Sequence, residues 1–270
     1  MEFLFLLTLL IYLAASILHA LFLTTGISRI SEGAFWATTM GFALHTILIA
    51  LRWIGQGRFP MAHWLDSISF LAWAIILIYL GIAYMTRMRA LGVFVVPAAF
   101  AAILIAYALP QDAPGLPANL QNYWLLSHTT LIFLSYAAFI AAFGFGVMYL
   151  IEEKKIRRKA QTLIHDHFPS LGSSDEIGHR CMVVGVILLT LGIIIGAVWT
   201  KYARELEWRW LDSKIIFTLA TWLIYVIQIG IRQALGWRGR KAAYSAIIGF
   251  AAILCTYAGV NLFLPSIHAF

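Results

Sequence analysis

Imidazole is the side chain best equipped for chemistry in this sequence, and eight histidines supply it. His128 lies in WLLSHTTLIFLSY, and His268 lies in LPSIHAF at the far end of the chain. Between them, residues 197–214 read AVWTKYARELEWRWLDSK, which sets Trp199, Tyr202, Trp208 and Trp210 among Lys201, Arg204, Glu205, Glu207, Arg209, Asp212 and Lys214. These residue types match the parts of a haem-binding surface. Imidazole is a common axial ligand to haem iron. Indoles offer flat apolar faces, and Arg or Lys pairs with the propionates. His128 and His268 are therefore candidate iron ligands, with the tryptophan-rich segment as a platform for a non-covalent, b-type haem. The same residues suit a blander role, since histidine and tryptophan also anchor chains at lipid headgroups.

The remaining histidines divide by context. His45 sits mid-way along the apolar stretch MGFALHTILIALRW. An ionisable group at that depth is costly and faces a protein interior or a cavity. It reads either as an intramembrane ligand or as a hydrogen-bond partner of a neighbouring helix. His19 reads as a buried ring donating to a backbone carbonyl, and His63 as an interfacial residue beside Trp64. His165, His167 and His179 fall in a polar stretch without a cysteine partner or helical i, i+4 spacing, a poor metal signal. Cys181 and Cys255 form no Cys-x-x-Cys or Cys-x-x-Cys-His, so the sequence shows neither a disulfide framework nor a covalent haem site.

The elements that must position these groups are membrane helices. The 270 residues are 62% hydrophobic and 11% charged, with mean hydropathy +0.86. Soluble domains carry about 25% charged residues, so this chain cannot cover itself with water-facing side chains. Eight stretches reach spanning length: about 2–24, 35–53, 65–85, 91–109, 125–151, 180–200, 214–231 and 242–264. Their unbroken apolar character predicts helices rather than a barrel. The expected fold is an all-α integral membrane protein, one membrane domain over 1–270 with eight transmembrane helices. The first stretch lacks a basic leader and a cleavage site and reads as a retained span.

Thirteen of the 19 basic residues fall in the loops after the odd-numbered spans. The positive-inside rule then places both termini on the external, periplasmic side. Loops 110–127 and 199–214 are external, and the basic loop 152–179 is cytoplasmic. Its EEKKIRRK reads as a solvated continuation of span five. The net charge of +7 is accounted for by such loops facing anionic lipid, not by nucleic acid.

Four stretches carry a family resemblance: GFALHTILIALRWIGQGRFPMAHWLDSISFLAW, LQNYWLLSHTTLIFLSYAAFIAAFGFGVMYL, LLTLGIIIGAVW and GWRGRKAAYSAIIGFAAILCTYAGVNLFLPSIHAF. From about residue 35 to the end, the chain resembles the cytochrome c assembly proteins, of the CcsA/ResC and HemX types. The resemblance implies that haem is held externally between two histidines, which correspond to His128 and His268. It implies a tryptophan-rich "WWD" segment as the haem shelf, here Trp199, Trp208, Trp210 and Asp212. Two departures stand out. The segment ELEWRWLDSKIIF lacks the family's glycine, proline and Glu-Thr end. Gly230 in TWLIYVIQIGIR stands where the family carries a transmembrane histidine, and His45 is the candidate substitute ligand.

These readings imply a haem-handling protein of cytochrome c maturation in the bacterial inner membrane, part of a haem lyase or synthase. It would present haem to apocytochrome c beside a second membrane assembly protein. The departures admit a HemX-like regulator of tetrapyrrole synthesis that contacts glutamyl-tRNA reductase through loop 152–179. A third reading is a haem b subunit of a respiratory complex. Gly192 and Gly196 form a GxxxG, and with Gly144 and Gly146 they read as helix-contact positions.

Overall fold

The computed structural model describes residues 2–57, 59, 64–108, 122–158, 168–202 and 213–254. Helix α1 spans Glu2–Thr25, α2 Ser28–Gln56, α3 Trp64–Thr86, α4 Gly92–Ala108, α5 Tyr123–Arg158, α6 Leu171–Tyr202, α7 Ser213–Leu235 and α8 Arg240–Leu254. A single 3-10 turn, Arg89–Leu91, precedes α4. All described elements are thus helical, as an apolar chain demands when its backbone must satisfy itself without water. Seven of them, α1 to α7, are long and apolar enough to cross a membrane. The described part of α8 has 15 residues, short of a full crossing. Residues 255–270, the remainder of the expected eighth span, lie outside the described residues.

Several helices run past the expected span limits. Helix α5 continues to Arg158, so EEKKIRR is helical, as expected for a solvated helix end. Glu153 there takes two hydrogen bonds from Arg157 at i, i+4. Helix α6 starts at Leu171, so residues 171–179 of the expected cytoplasmic loop are its first turns. At the opposite ends, α5 begins at Tyr123 and α6 ends at Tyr202, which narrows the connections expected at 110–127 and 199–214. A polar residue at an interface still completes backbone hydrogen bonds by staying helical, so helices outlast their hydrocarbon-soluble part.

Helix α5 is central. Of its most apolar window 72% is buried, against 17% for α7. It packs on α6, α8 and α3, while α1, α2, α3 and α4 pair among themselves. The α5–α6 pairing is the most extensive among the described residues. Its cause is a row of glycines on α6. A Cβ at Gly178 would lie 3.1 Å from Phe145 Cβ, and one at Gly192 would lie 2.8 Å from Ile132 Cδ1. At Gly185 it would enter the ring of Phe139. Three glycines at seven-residue spacing thus let the side chains of α5 sink onto the backbone of α6. Phe139 also stacks on Tyr225 of α7, with ring centroids 3.7 Å apart and planes within 7°.

Tight turns join the N-terminal helices. Gly26, at φ 69°, closes α1, and its amide reaches the Phe22 carbonyl at 2.9 Å. Only Gly26 and Ile27 then separate α1 from α2, which fixes the pair antiparallel.

Candidate functional site

The local sequence sets the start of α5. The Asn122 side chain accepts the amide of Leu125 at 3.1 Å, a side-chain cap on one of the helix's free N–H groups. His128 follows within the second turn, half-buried against the last turns of α6. Its Nδ1 donates to the carbonyl of Gly192 at 2.7 Å. A carbonyl can only accept, so the proton sits on Nδ1. In the neutral ring the lone pair is then on Nε2, and no described residue bonds that nitrogen.

The ring lies directly over Gly196. A Cβ there would be 2.6 Å from both Nδ1 and Cε1 of His128. Trp199 follows on the same helix and is 2% exposed. His128 and Trp199 are therefore brought to the same end of the α5–α6 pair. Trp208, Trp210, Asp212 and His268 lie outside the described residues, as do His63, His165 and His167.

His45 is placed elsewhere, fully enclosed among α1, α2 and α3. Tyr12 of α1 shares a hydrogen bond with its Nδ1 at 3.3 Å, and Ser69 of α3 with its Nε2 at 2.9 Å. Both ring nitrogens are engaged, so binding a metal would require one of these bonds to open. His19 is likewise enclosed, but its partners are side chains and not the expected backbone carbonyl. Its Nε2 faces Thr38 Oγ1 at 3.4 Å and the Tyr79 hydroxyl at 3.5 Å. Gly92 accommodates the ring edge, since a Cβ there would enter it. Each buried histidine thus bridges three helices. Gly230 lies on the outward face of α7 with nothing within 4 Å of a built Cβ. An imidazole at that position would point away from the described bundle.

Two features were not read from the sequence. One is the seat that Gly192 and Gly196 make for His128, where only a helix contact was expected. The other is at the opposite ends of the helices. There Arg232 of α7 grips Asp175 of α6, whose Oδ1 also takes the amide of Gly239. Charge on neighbouring helices was legible in the sequence; its pairing was not. Among the described residues, no group of three or more His, Cys, Asp or Glu side chains gathers to hold a metal ion.

Residues 61–268 match the family model described as cytochrome C assembly protein. The chain is 30% identical to a cytochrome c biogenesis protein CcsA of Guillardia theta, over 87% of this chain and 84% of that one. It is 31% identical to the CcsA protein of Prochlorococcus marinus, over 91% and 86%. For the CcsA protein of Chlamydomonas reinhardtii the values are 33%, 84% and 65%. On the family model and these relatives, the chain belongs to the cytochrome c assembly protein family.

Proposed function

We propose that this protein serves cytochrome c biogenesis by holding a non-covalent haem at the outer face of a bacterial cytoplasmic membrane, with His128 and His268 as axial ligands. The observation that carries this reading is the state of His128. A ring that gives its Nδ1 proton to a backbone carbonyl presents Nε2 as a free donor, the arrangement that outer-shell bonds impose on metal-bound histidines. The described residues fit haem in that respect. Trp199, buried on the helix that seats His128, begins the segment proposed as the haem shelf, with Trp208, Trp210 and Asp212 farther along it.

Bound haem would supply vinyl groups that can add cysteine thiols of an apocytochrome. The chain's part is positional: keep the iron ligated and the ring oriented while the partner docks. In this reading the eighth span is completed by residues 255–264, both termini are external, and a second membrane assembly protein works beside this one. His45 keeps its place as a packed hydrogen-bonding residue of the α1–α3 interface.

The test is the visible spectrum of the full chain purified in detergent after haem-replete expression. A low-spin Soret and alpha band, lost in His128→Ala and in His268→Ala, is the expected result. A haem-free protein would overturn the proposal in favour of the HemX-like regulator, a role that the altered WWD segment also suits. A haem lost only in His45→Ala would move the site into the membrane.

A further inference from the structure

We infer that Gly192 and Gly196 of α6 are positioning residues for His128: the first fixes which ring nitrogen is free, and the second leaves the space in which the ring lies. The inference rests on the reading of His128 as an iron ligand and adds what prepares it.

The two glycines do different work. Gly192 contributes its carbonyl, 2.7 Å from Nδ1. A side chain at 192 would meet Ile132 of α5, at 2.8 Å from Cδ1, 3.2 Å from Cγ1 and 3.5 Å from the backbone nitrogen. A side chain at 196 would meet the imidazole itself, at 2.6 Å from Nδ1 and Cε1. The imidazole is a rigid plane, and its position is set by the bond to Gly192. It can yield to a methyl group at 196 only by tilting out of that bond.

This asymmetry separates a ligand seat from ordinary helix packing. Lower on the same seam, Gly178 receives Cβ of Phe145 and Gly185 the ring of Phe139, apolar groups with no donor to orient. At the upper end the same backbone proximity receives a ring with two nitrogens. A helix carbonyl accepting Nδ1–H fixes the tautomer and adds electron density to the ring, which strengthens Nε2 as a ligand. A helix without the glycine at 196 would hold the imidazole too far out to reach the carbonyl.

The experiment uses the full chain in detergent, labelled with nitrogen-15 histidine, with the His128 signals identified by their absence in His128→Gln. Three forms are compared: wild type, Gly196→Ala and Gly185→Ala, the last a packing control lower on the same seam. In wild type, before haem is added, His128 is expected as the Nδ1–H tautomer. Gly185→Ala keeps it and Gly196→Ala loses it. With haem, Gly196→Ala is expected to retain it about 10- to 100-fold less tightly. The remaining haem shifts to a higher reduction potential, because a ring without the carbonyl bond donates less electron density. Gly185→Ala stays near wild type in both measures.

Wild-type His128 in the Nε2–H tautomer would overturn the inference without any variant. So would equal effects of the two glycine variants, which would mark the seam as packing alone. Wild-type protein with the Nδ1–H tautomer but unable to bind haem overturns it through the ligand reading, and the tautomer tells that failure from a failure of the seat.

Discussion

Arg232 on α7 holds Asp175 on α6 with both terminal nitrogens, at 2.9 and 2.8 Å. The same carboxylate accepts the Gly239 amide at 2.9 Å, so one side chain ties α6, α7 and the turn into α8. Gly239 stands at φ 65°, a conformation that glycine adopts without a steric penalty. The Asp175 and Arg232 side chains are only 13% and 8% exposed. Breaking such a pair strands a buried charge, which costs about 3–5 kcal/mol. Arg232→Ala is expected to lower the unfolding temperature in detergent, followed by tryptophan fluorescence. The double variant Asp175→Leu, Arg232→Met should recover much of the loss, because neither charge is then left alone. Unfolding of Arg232→Ala at the wild-type temperature would show the clamp to be idle.

His45 invites a separate test because both of its nitrogens are taken. His45→Ala opens a cavity and leaves the Tyr12 hydroxyl and Ser69 Oγ without their partner. The loss is about 2–4 kcal/mol, from lost packing plus unmatched polar groups. The triple variant His45→Leu, Tyr12→Phe, Ser69→Ala removes all the polar groups together and should be closer to wild type than His45→Ala. In the external-haem reading, both proteins keep the visible spectrum of the parent. Thermal unfolding and the Soret band recorded on the same samples decide the matter.

The fold class was legible because composition leaves a chain this apolar one solution. Apolar runs of about 20 residues located seven of the helices to within a few residues at most of their ends. The longer overhangs, Ser28–Ala34, Leu171–His179 and the end of α5, were not, because hydropathy marks where lipid begins and not where the backbone stops being helical. His128 was legible as a candidate from its type and neighbours. Its seat was not, since a GxxxG looks the same whether it receives an isoleucine or an imidazole. The seven-residue spacing of Gly178, Gly185 and Gly192 was present in the sequence and could have revealed the whole seam. The partners of His45 were beyond reach, because Tyr12 and Ser69 come from other helices and no local pattern pairs them.

Phe139 provides the test of that seam. It is fully buried against Gly185 of α6 and the stacked ring of Tyr225 on α7. Gly185→Ala pushes a methyl group into the ring, and the stacked Tyr225 restricts its movement. Overpacking of this kind costs about 1–3 kcal/mol. Phe139→Leu in the Gly185→Ala background makes room for the methyl group. The double variant is therefore expected to be more stable than the sum of the two single effects allows. Strict additivity in the unfolding temperatures would mean that the helices simply move apart.

Orientation decides whether the His128 end of α5 faces outward, and basic residues make the prediction definite. Lys154 is exposed at the other end of α5, within the run Lys154, Lys155, Arg157 and Arg158. By the positive-inside rule, those charges are expected to keep their end of the helix on the cytoplasmic side. In a background of Cys181→Ser and Cys255→Ser, a single cysteine at position 154 or 207 can be probed in intact cells with a maleimide that does not cross membranes. Glu207→Cys is expected to react, and Lys154→Cys only after the membrane is opened. The reverse pattern would turn the His128 end towards the cytoplasm, where the proposed delivery of haem to an external apocytochrome cannot occur.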